Sequence, residues 1–334
     1  MSTETWLVAD LGGTHLRLAL TDTPGDGRPA LRELRTYRVA EATSLAQAGS
    51  RYLLDTGARA AGAVVCAAGR VLARTITLTN LSWRVNGAEL EQAWAMRHVA
   101  VVNDLAGAAS ALAWLDEAEA PPLWPVSQVP NAAERRCVVV SPGTGLGVAA
   151  ARLLAAAQVE VFDTEGGHAG FAAQSDIEWE LARAMQQREG SHISWEHWVS
   201  GPGLSRIHQA LVVRSGRAAW NSGGRTPEQI VAGAASGDAA CEQALKLFAQ
   251  ALAAVAGDCV LMHGAWHGVY LMGALVQALR AHWVDHAFRA RFADKGPFAQ
   301  AMAQVPVRLV VHPHPVLLGA AHRARQSARD DASS

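Results

Sequence analysis

The chain has 334 residues, 50% of them hydrophobic and 18% charged, with a formal net charge of −1. That length suggests two domains with sizeable cores, and the lack of a basic excess argues against a nucleic-acid surface. Lysine occurs only as Lys246 and Lys295; neither completes a G-x-x-x-x-G-K loop or a V-A-I-K strand, which excludes a Walker phosphate loop and a protein kinase.

The start, Met1-Ser2-Thr3-Glu4, has no basic region ahead of the apolar run, so no signal peptide is expected. Residues 6–9 read as a strand, Asp10-Leu11-Gly12-Gly13-Thr14 as a tight turn, 15–21 as a second strand and 31–37 as a third. A helix over 44–55 stops at Gly57, and 61–67 is a fully buried strand. Asn86 with Glu89 marks a helix start. A further buried strand, 99–102, ends at Asn103-Asp104, and an alanine-rich helical segment follows over 105–115. The segment 116–136 holds four prolines and reads as a domain connection.

A similar order then restarts. Residues 137–140 read as a strand, Ser141-Pro142-Gly143-Thr144-Gly145 as a turn, and a second strand begins near Gly147. Ser175 with Glu178 forms a capping box, and Thr226-Pro227-Glu228-Gln229 opens another helix. The apolar stretch 251–279 is broken by Asp258, His263, Gly264, His267 and Gly268, so it reads as buried helix, loop and strand and not as a membrane span. Strands are expected at 269–272 and 307–311, each followed by a helix. The last helix, 316–326, is expected to return to the first domain, with 329–334 frayed. The division expected is 1–115 plus 312–334 as a small α/β domain, and 116–311 as a large α/β domain with a helical insertion. The fold class is α/β: duplicated βββαβαβα units with a cleft between them. Cys66, Cys137, Cys241 and Cys259 are scattered and read as small core residues in a reducing compartment.

Asn103 and Asp104 stand where a strand ends and a helix begins, which is where α/β sheets bind ligands. A glycine turn between strands lets backbone N–H groups face an anion. Gly12-Gly13-Thr14 and Gly143-Thr144-Gly145 both offer this, and Asp10 beside the first suits Mg²⁺ held through water. One competing reading takes Gly143-Thr144-Gly145-Leu146-Gly147 as the start of a dinucleotide fold, with Asp163 as its acid and a dehydrogenase as its consequence. The third glycine of that fingerprint is absent, with Val148 in its place, and the alanine-rich stretch 148–157 that follows is short for a crossover helix with its loops. A hairpin over 147–154 and 159–163 is therefore expected, against local helix propensity. His263 with His267, and His312 with His314, read as loop residues and not as metal sites.

Six ordered motifs together resemble the bacterial glucokinase family, within the hexokinase, actin and Hsp70 superfold. They are Asp10-Leu11-Gly12-Gly13-Thr14, Thr79-Asn80-Leu81-Ser82-Trp83, Asn103-Asp104, Gly143-Thr144-Gly145-Leu146-Gly147, Glu165-Gly166-Gly167-His168, and Glu196 ahead of Ser200-Gly201-Pro202-Gly203. The resemblance implies a two-domain actin-like (ribonuclease H-like) ATPase fold. It implies ATP-dependent phosphorylation of D-glucose to glucose 6-phosphate, with Mg²⁺, by a cytoplasmic homodimer. By the same resemblance Asp104 is the general base, and Asn103, Asp104, Glu165, His168, Glu196 and Asn80 bind sugar. Ala9, Asp10, Leu11, Gly12, Gly13, Thr14, Gly143, Thr144, Gly145 and Gly273 bind ATP. Glucose and ATP are the expected partners, with neither nucleic acid nor membrane. His15 and Ala9 depart from the family's usual residues, as does Ala274 after Gly273 on the adenosine side, and the zinc motif of related repressors and kinases is absent. The alternative is a catalytically degenerate sugar-binding regulator on the same fold.

Overall fold

Alternation of apolar residues in short runs builds two five-stranded sheets, each strand turning one set of side chains to a separate core. The computed structural model of the chain describes residues 3–23, 27–78, 83–125, 134–190, 192–216, 224–283 and 286–333. The strands are β1 Glu4–Leu11, β2 His15–Thr23, β3 Arg32–Arg38, β4 Gly62–Ala67, β5 Thr75–Thr77, β6 Arg84–Asn86, β7 His98–Asn103, β8 Arg135–Pro142, β9 Leu146–Leu153, β10 Val159–Thr164, β11 Val269–Leu271 and β12 Val307–Leu309. The first sheet runs β3-β2-β1-β4-β7 and the second β10-β9-β8-β11-β12, while β5 and β6 form a small pair. Renumbered within each sheet, both orders are 3-2-1-4-5, so the repeated βββαβαβα pattern is a repeated topology.

Packing divides the chain into one unit of Met1–Leu115, Leu153–Asp163 and His312–Ser334, and a second of Asp116–Arg152 and Thr164–Val311. The segment Leu153–Asp163 thus goes with the first unit, although the expected division included it in 116–311 and its strands pair in the second sheet.

In the first unit, β1 pairs antiparallel with β2 and parallel with β4, and β4 parallel with β7. β4 is buried throughout, as a central parallel strand covered on both faces should be. Leu7, Ala9, Leu11, Val65 and Ala67 face a core shared with Leu45, Ala48 and Tyr52 of helix Leu45–Thr56. Trp6, Val8, Val64 and Cys66 face Leu317, Ala320, Ala321 and Ala324 of the C-terminal helix Pro315–Ser333. The caps predicted at Gly57 and Asn86 form, and Ser44, expected inside its helix, caps it instead. Two helix lengths differ from expectation. The alanine-rich helix is Asp104–Ser110 and breaks into tighter turns beyond it, which bring Trp114 Nε1 to within 3.0 Å of His322 Nδ1. The C-terminal helix continues to Ser333.

The second unit wraps its sheet around the 25-residue helix Ala239–His263. By length and composition that helix could cross a membrane, but 72% of its apolar window is buried in the core. Gly264 ends it in the left-handed conformation (φ 61°), as the glycine break implied. β9, the short turn at 155–157 and β10 form a hairpin where local propensity favours helix. That removes the crossover helix a dinucleotide fold needs, so the dehydrogenase reading fails. The four cysteines are buried and free, in keeping with their reading as core residues.

Candidate active site

The first unit gathers one set of candidate residues at the carboxyl edge of its sheet. Parallel register sets Asp10 level with Cys66 and Val102, and Leu11 level with Ala67 and Asn103. With β4 between them, β1 and β7 lie about 10 Å apart, two strand spacings. Asn103 caps helix Asp104–Ser110. Its Oδ1 accepts from Leu105 N (2.9 Å) and Ala106 N (3.1 Å), and its Nδ2 donates to Gly69 O (3.1 Å). The asparagine therefore does the capping that would otherwise be the simplest role for Asp104. One amide hydrogen of Asn103 remains for a ligand.

Asp104 is positioned from behind. Helix Pro315–Ser333 lies directly on helix Asp104–Ser110, because a Cβ on Gly319 would collide with the Gly107 carbonyl oxygen. Asp104 Oδ1 accepts from Leu105 N at 2.9 Å. Burial pushes its carboxyl pKa up, the Leu105 N–H pulls it down, and the charge of Asp10 pushes it up again, leaving it raised. A carboxyl with a raised pKa is a better proton acceptor once ionised.

The turn Gly12-Gly13-Thr14 is closed by Gly12 N donating to His15 O at 3.0 Å. A Cβ on Gly13 would meet nothing within 4 Å, and one on Gly12 only the His15 oxygen at 3.5 Å. Neither glycine lies in the left-handed region. Conformation and packing thus leave glycine optional here, and its absent side chain leaves open space beside the N–H groups of the turn. Ala9 and Leu11, expected among the ATP contacts, are fully buried and paired on both sides, Ala9 with Leu18 and Val65, Leu11 with Leu16 and Ala67. Their side chains face the core, so they support the turn from beneath.

Asp10 accepts from Arg17 Nη1 at 3.0 Å. Burial raises its carboxyl pKa against the opposing pull of Arg17. Among the described residues no group of three or more His, Cys, Asp or Glu could hold a metal. A single carboxylate beside an anion turn fits Mg²⁺, which takes few protein ligands and relies on waters and substrate phosphates.

The second unit places its turn at the corresponding point between β8 and β9. Gly143 N donates to Gly145 O (2.8 Å), and Gly201 N donates to Gly143 O (2.8 Å). Glu196 Oε2 accepts from Leu146 N at 2.9 Å and lies so close to Gly145 that no Cβ fits there. Gly143, like Gly13, has open space where a Cβ would stand. Gly273, two residues past β11, has φ +109°, with Pro142 O 3.1 Å from where a Cβ would be. Beside Gly143 and Thr144 opens a largely apolar cavity of about 800 Å³, walled by Pro227, Val231, Ala274 and Leu275, with Arg225 at its edge. Arg225, Pro227 and Val231 were not foreseen; the Thr226-Pro227 helix start was legible, but which cavity its helix would wall was not.

Glu165-Gly166-Gly167-His168 forms a single tight turn against β9. A Cβ on Gly167 would strike Leu146 O, and one on Gly166 would stand 3.1 Å from Val148 Cβ. Trp195 N donates to Ala169 O (2.9 Å), and Phe171 stacks on Trp198 with ring centroids 4.1 Å apart. These contacts tie the turn to the four-residue helix Trp195–Trp198 that carries Glu196. Glu165 and His168 are exposed, and among the described residues neither side chain has a protein partner. The structure thus brings together Gly143, Thr144, Gly145, Glu165, His168, Glu196 and Gly273 within this unit. Asn80 lies outside the described residues.

Two sheets of one topology, each with a glycine turn after its first strand and carboxylates at the strand ends, define the actin-like fold of sugar kinases. The sequence model of the family described as Glucokinase matches residues 7–327. The glucokinase of Stenotrophomonas maltophilia (strain K279a) is 36% identical over 327 residues, covering 97% of this chain and 96% of that protein. A crystal structure of glucokinase from an Antarctic psychrotroph superposes with a TM-score of 0.85 at 30% identity, covering 97% of this chain and 99% of that one. The glucokinase of Balamuthia mandrillaris, solved in complex with glucose, shares the fold with a TM-score of 0.76 at 20% identity, over 97% of this chain and 94% of that one. The chain belongs to the glucokinase family.

Proposed function

We propose that this protein transfers the γ-phosphoryl group of ATP to the 6-hydroxyl of D-glucose. The observation that carries the reading is the pair of turns at equivalent points of the two sheets, each with a glycine, Gly13 or Gly143, that neither packing nor backbone conformation requires. Two anion turns suit a polyphosphate donor, and the apolar cavity beside the second suits a nucleoside.

Asp104 takes the proton of the sugar hydroxyl as its oxygen attacks phosphorus. Phosphoryl transfer has a loose transition state, so holding the reactants in line and neutralising charge matter most, and proton removal comes late. Asp104 therefore needs position and an ionised carboxylate more than unusual basicity. Asn103, through its remaining amide hydrogen, and Glu165, His168 and Glu196 bind sugar hydroxyls; carboxylates and imidazole pair with O–H groups and set selectivity. Asn80 is assigned with them on the family resemblance alone. The N–H groups and Thr hydroxyls of the two turns bind phosphate oxygens, and Gly273 with Ala274 borders the nucleoside. Mg²⁺ held through water by Asp10 would neutralise charge on the transferring phosphates. The two units are read as the small and large domains of the family. ATP as donor agrees with a cytoplasmic enzyme, and assembly as a homodimer follows the family resemblance.

The test is a coupled ADP-release assay over a panel of hexoses, with ATP and inorganic polyphosphate as donors, on wild type and Asp104→Ala. Glucose with ATP is expected to give the highest kcat/KM. Absence of glucose turnover, or full activity in the alanine variant, refutes the assignment.

A further inference from the structure

We infer that Glu189 is the common anchor of the second phosphate turn, and that Glu189, His197 and Arg206 are positioning residues for the nucleotide donor. Glu189 ends helix Asp176–Glu189. Its Oε2 meets His197 Nε2 at 3.1 Å and its Oε1 meets Arg206 Nε at 2.9 Å. Each oxygen leads to a different side of the turn.

The first branch runs through His197. Its Nδ1 accepts from Ser194 N at 3.1 Å and faces Ser194 Oγ at 2.8 Å. An Nδ1 that accepts an N–H carries no proton, so the ring hydrogen sits on Nε2 and points at Glu189. That fixes helix Trp195–Trp198, on which the neighbouring residue, Glu196, accepts from Leu146 N at 2.9 Å. The second branch runs through Arg206 on helix Gly201–Arg214, whose first residue donates from Gly201 N to Gly143 O at 2.8 Å. The turn is therefore clamped at Gly143 and at Leu146 by two helices that share one carboxylate. Ser200 joins the branches, donating Oγ to Glu196 O (2.7 Å) and accepting from Gly203 N (3.0 Å).

The order Ser194, His197, Glu189 also resembles a hydrolytic triad. Ser194 is 1% exposed and its backbone N–H and hydroxyl both face the same imidazole nitrogen, so it caps a helix and attacks nothing. The carboxylate's role is mechanical: a phosphate turn must be rigid to hold its N–H groups on a phosphate, and its support decides how well it does so.

The inference rests on the reading that this turn holds the donor's phosphates. It is tested on the full chain by calorimetric binding of ATP with Mg²⁺ in the absence of sugar, alongside thermal melting. Glu189→Ala is expected to weaken ATP about tenfold, with Glu189→Gln recovering at least half of that loss because its amide oxygen still accepts. Should Glu189→Ala fail to fold, His197→Asn carries the test, since its amide oxygen can still accept from Ser194 N while the link to Glu189 is cut; a loss of about threefold is expected. A lowered melting temperature with unchanged ATP affinity overturns the inference. ATP binding that responds as expected in a protein that never phosphorylates glucose supports the inference and refutes the proposed activity. A wild type that binds no ATP overturns both.

Discussion

The two glycine turns share a topological address and differ in how they are held. Gly12-Gly13-Thr14 is held by strand register, by Gly12 N on His15 O and by Val39 N on Thr14 O, with open space around Gly13. Gly143-Thr144-Gly145 is clamped by Gly201 N on Gly143 O and by Glu196 on Leu146 N, with Gly273 packed behind it. The first is tied within its own strands and to the segment just after β3, whereas the second is also held by a backbone N–H and a carboxylate from helices far along the chain. Glycine therefore does different work at different positions. Gly13 and Gly143 leave open space, whereas Gly145, Gly167 and Gly273 clear space for the protein itself.

The largest expected effect lies at the base beside the first turn. Asp104→Asn should lower kcat by ~10³-fold, within the range for loss of a general base. The same change should raise stability by ~1 kcal/mol, about 2 °C in Tm, because a buried carboxylate beside Asp10 no longer has to ionise. The sign follows from the raised pKa. The folded carboxyl holds its proton more tightly than the unfolded one, so its contribution to stability falls as pH rises between the two values and is at its lowest at neutral pH. Coupled assay and calorimetric melting on one preparation check both, and a variant that retains a tenth of the wild-type rate removes Asp104 from the role.

Next in size is the support behind that base. Gly319→Ala sets a methyl against the Gly107 carbonyl, a backbone atom with little freedom to yield, and should cost about 3 kcal/mol. Denaturant titration measures it; a cost below ~1 kcal/mol would show that the two helices separate easily.

The turns themselves give the sharpest contrast. Gly13→Ala and Gly143→Ala should raise the KM for ATP about tenfold while leaving Tm within about 1 °C, since each new methyl enters empty space. Gly145→Ala should push the Glu196 carboxylate off Leu146 N and lower stability by ~1–2 kcal/mol as well as weakening ATP. If all three variants behave alike, the distinction between the two turns is lost.

The smallest effect is on pH dependence. A base with a raised pKa must lose its proton to act, so the acid limb of kcat/KM should fall above the ordinary aspartate value of about 3.9. A limb at or below that value, measured with saturating Mg²⁺, would contradict the burial of Asp104.

Much of this was legible before any coordinates. Strand–turn–strand at Asp10 and again at Gly143, the buried strand ending at Asn103, and the caps at Gly57, Asn86, Ser175 and Thr226 are local patterns, and all form as read. The hairpin at β9 and β10 was readable against propensity because a dinucleotide fingerprint was incomplete and the segment too short for a crossover helix. The motif names a stretch of chain, but within it the side chains of Ala9 and Leu11 turn into the core, which leaves them only backbone groups to offer a ligand.

By itself, then, the sequence determined the elements, their repeated order and the chemistry at the strand ends, because periodicity, capping and turn residues act over a few positions. Tertiary structure alone decided which glycines face open space and which are required by packing. It decided that Asn103 caps the helix that starts at Asp104, and that Glu196, fifty residues from Leu146, holds the second turn. Those outcomes depend on atoms brought together from distant parts of the chain, where no local pattern records the contact.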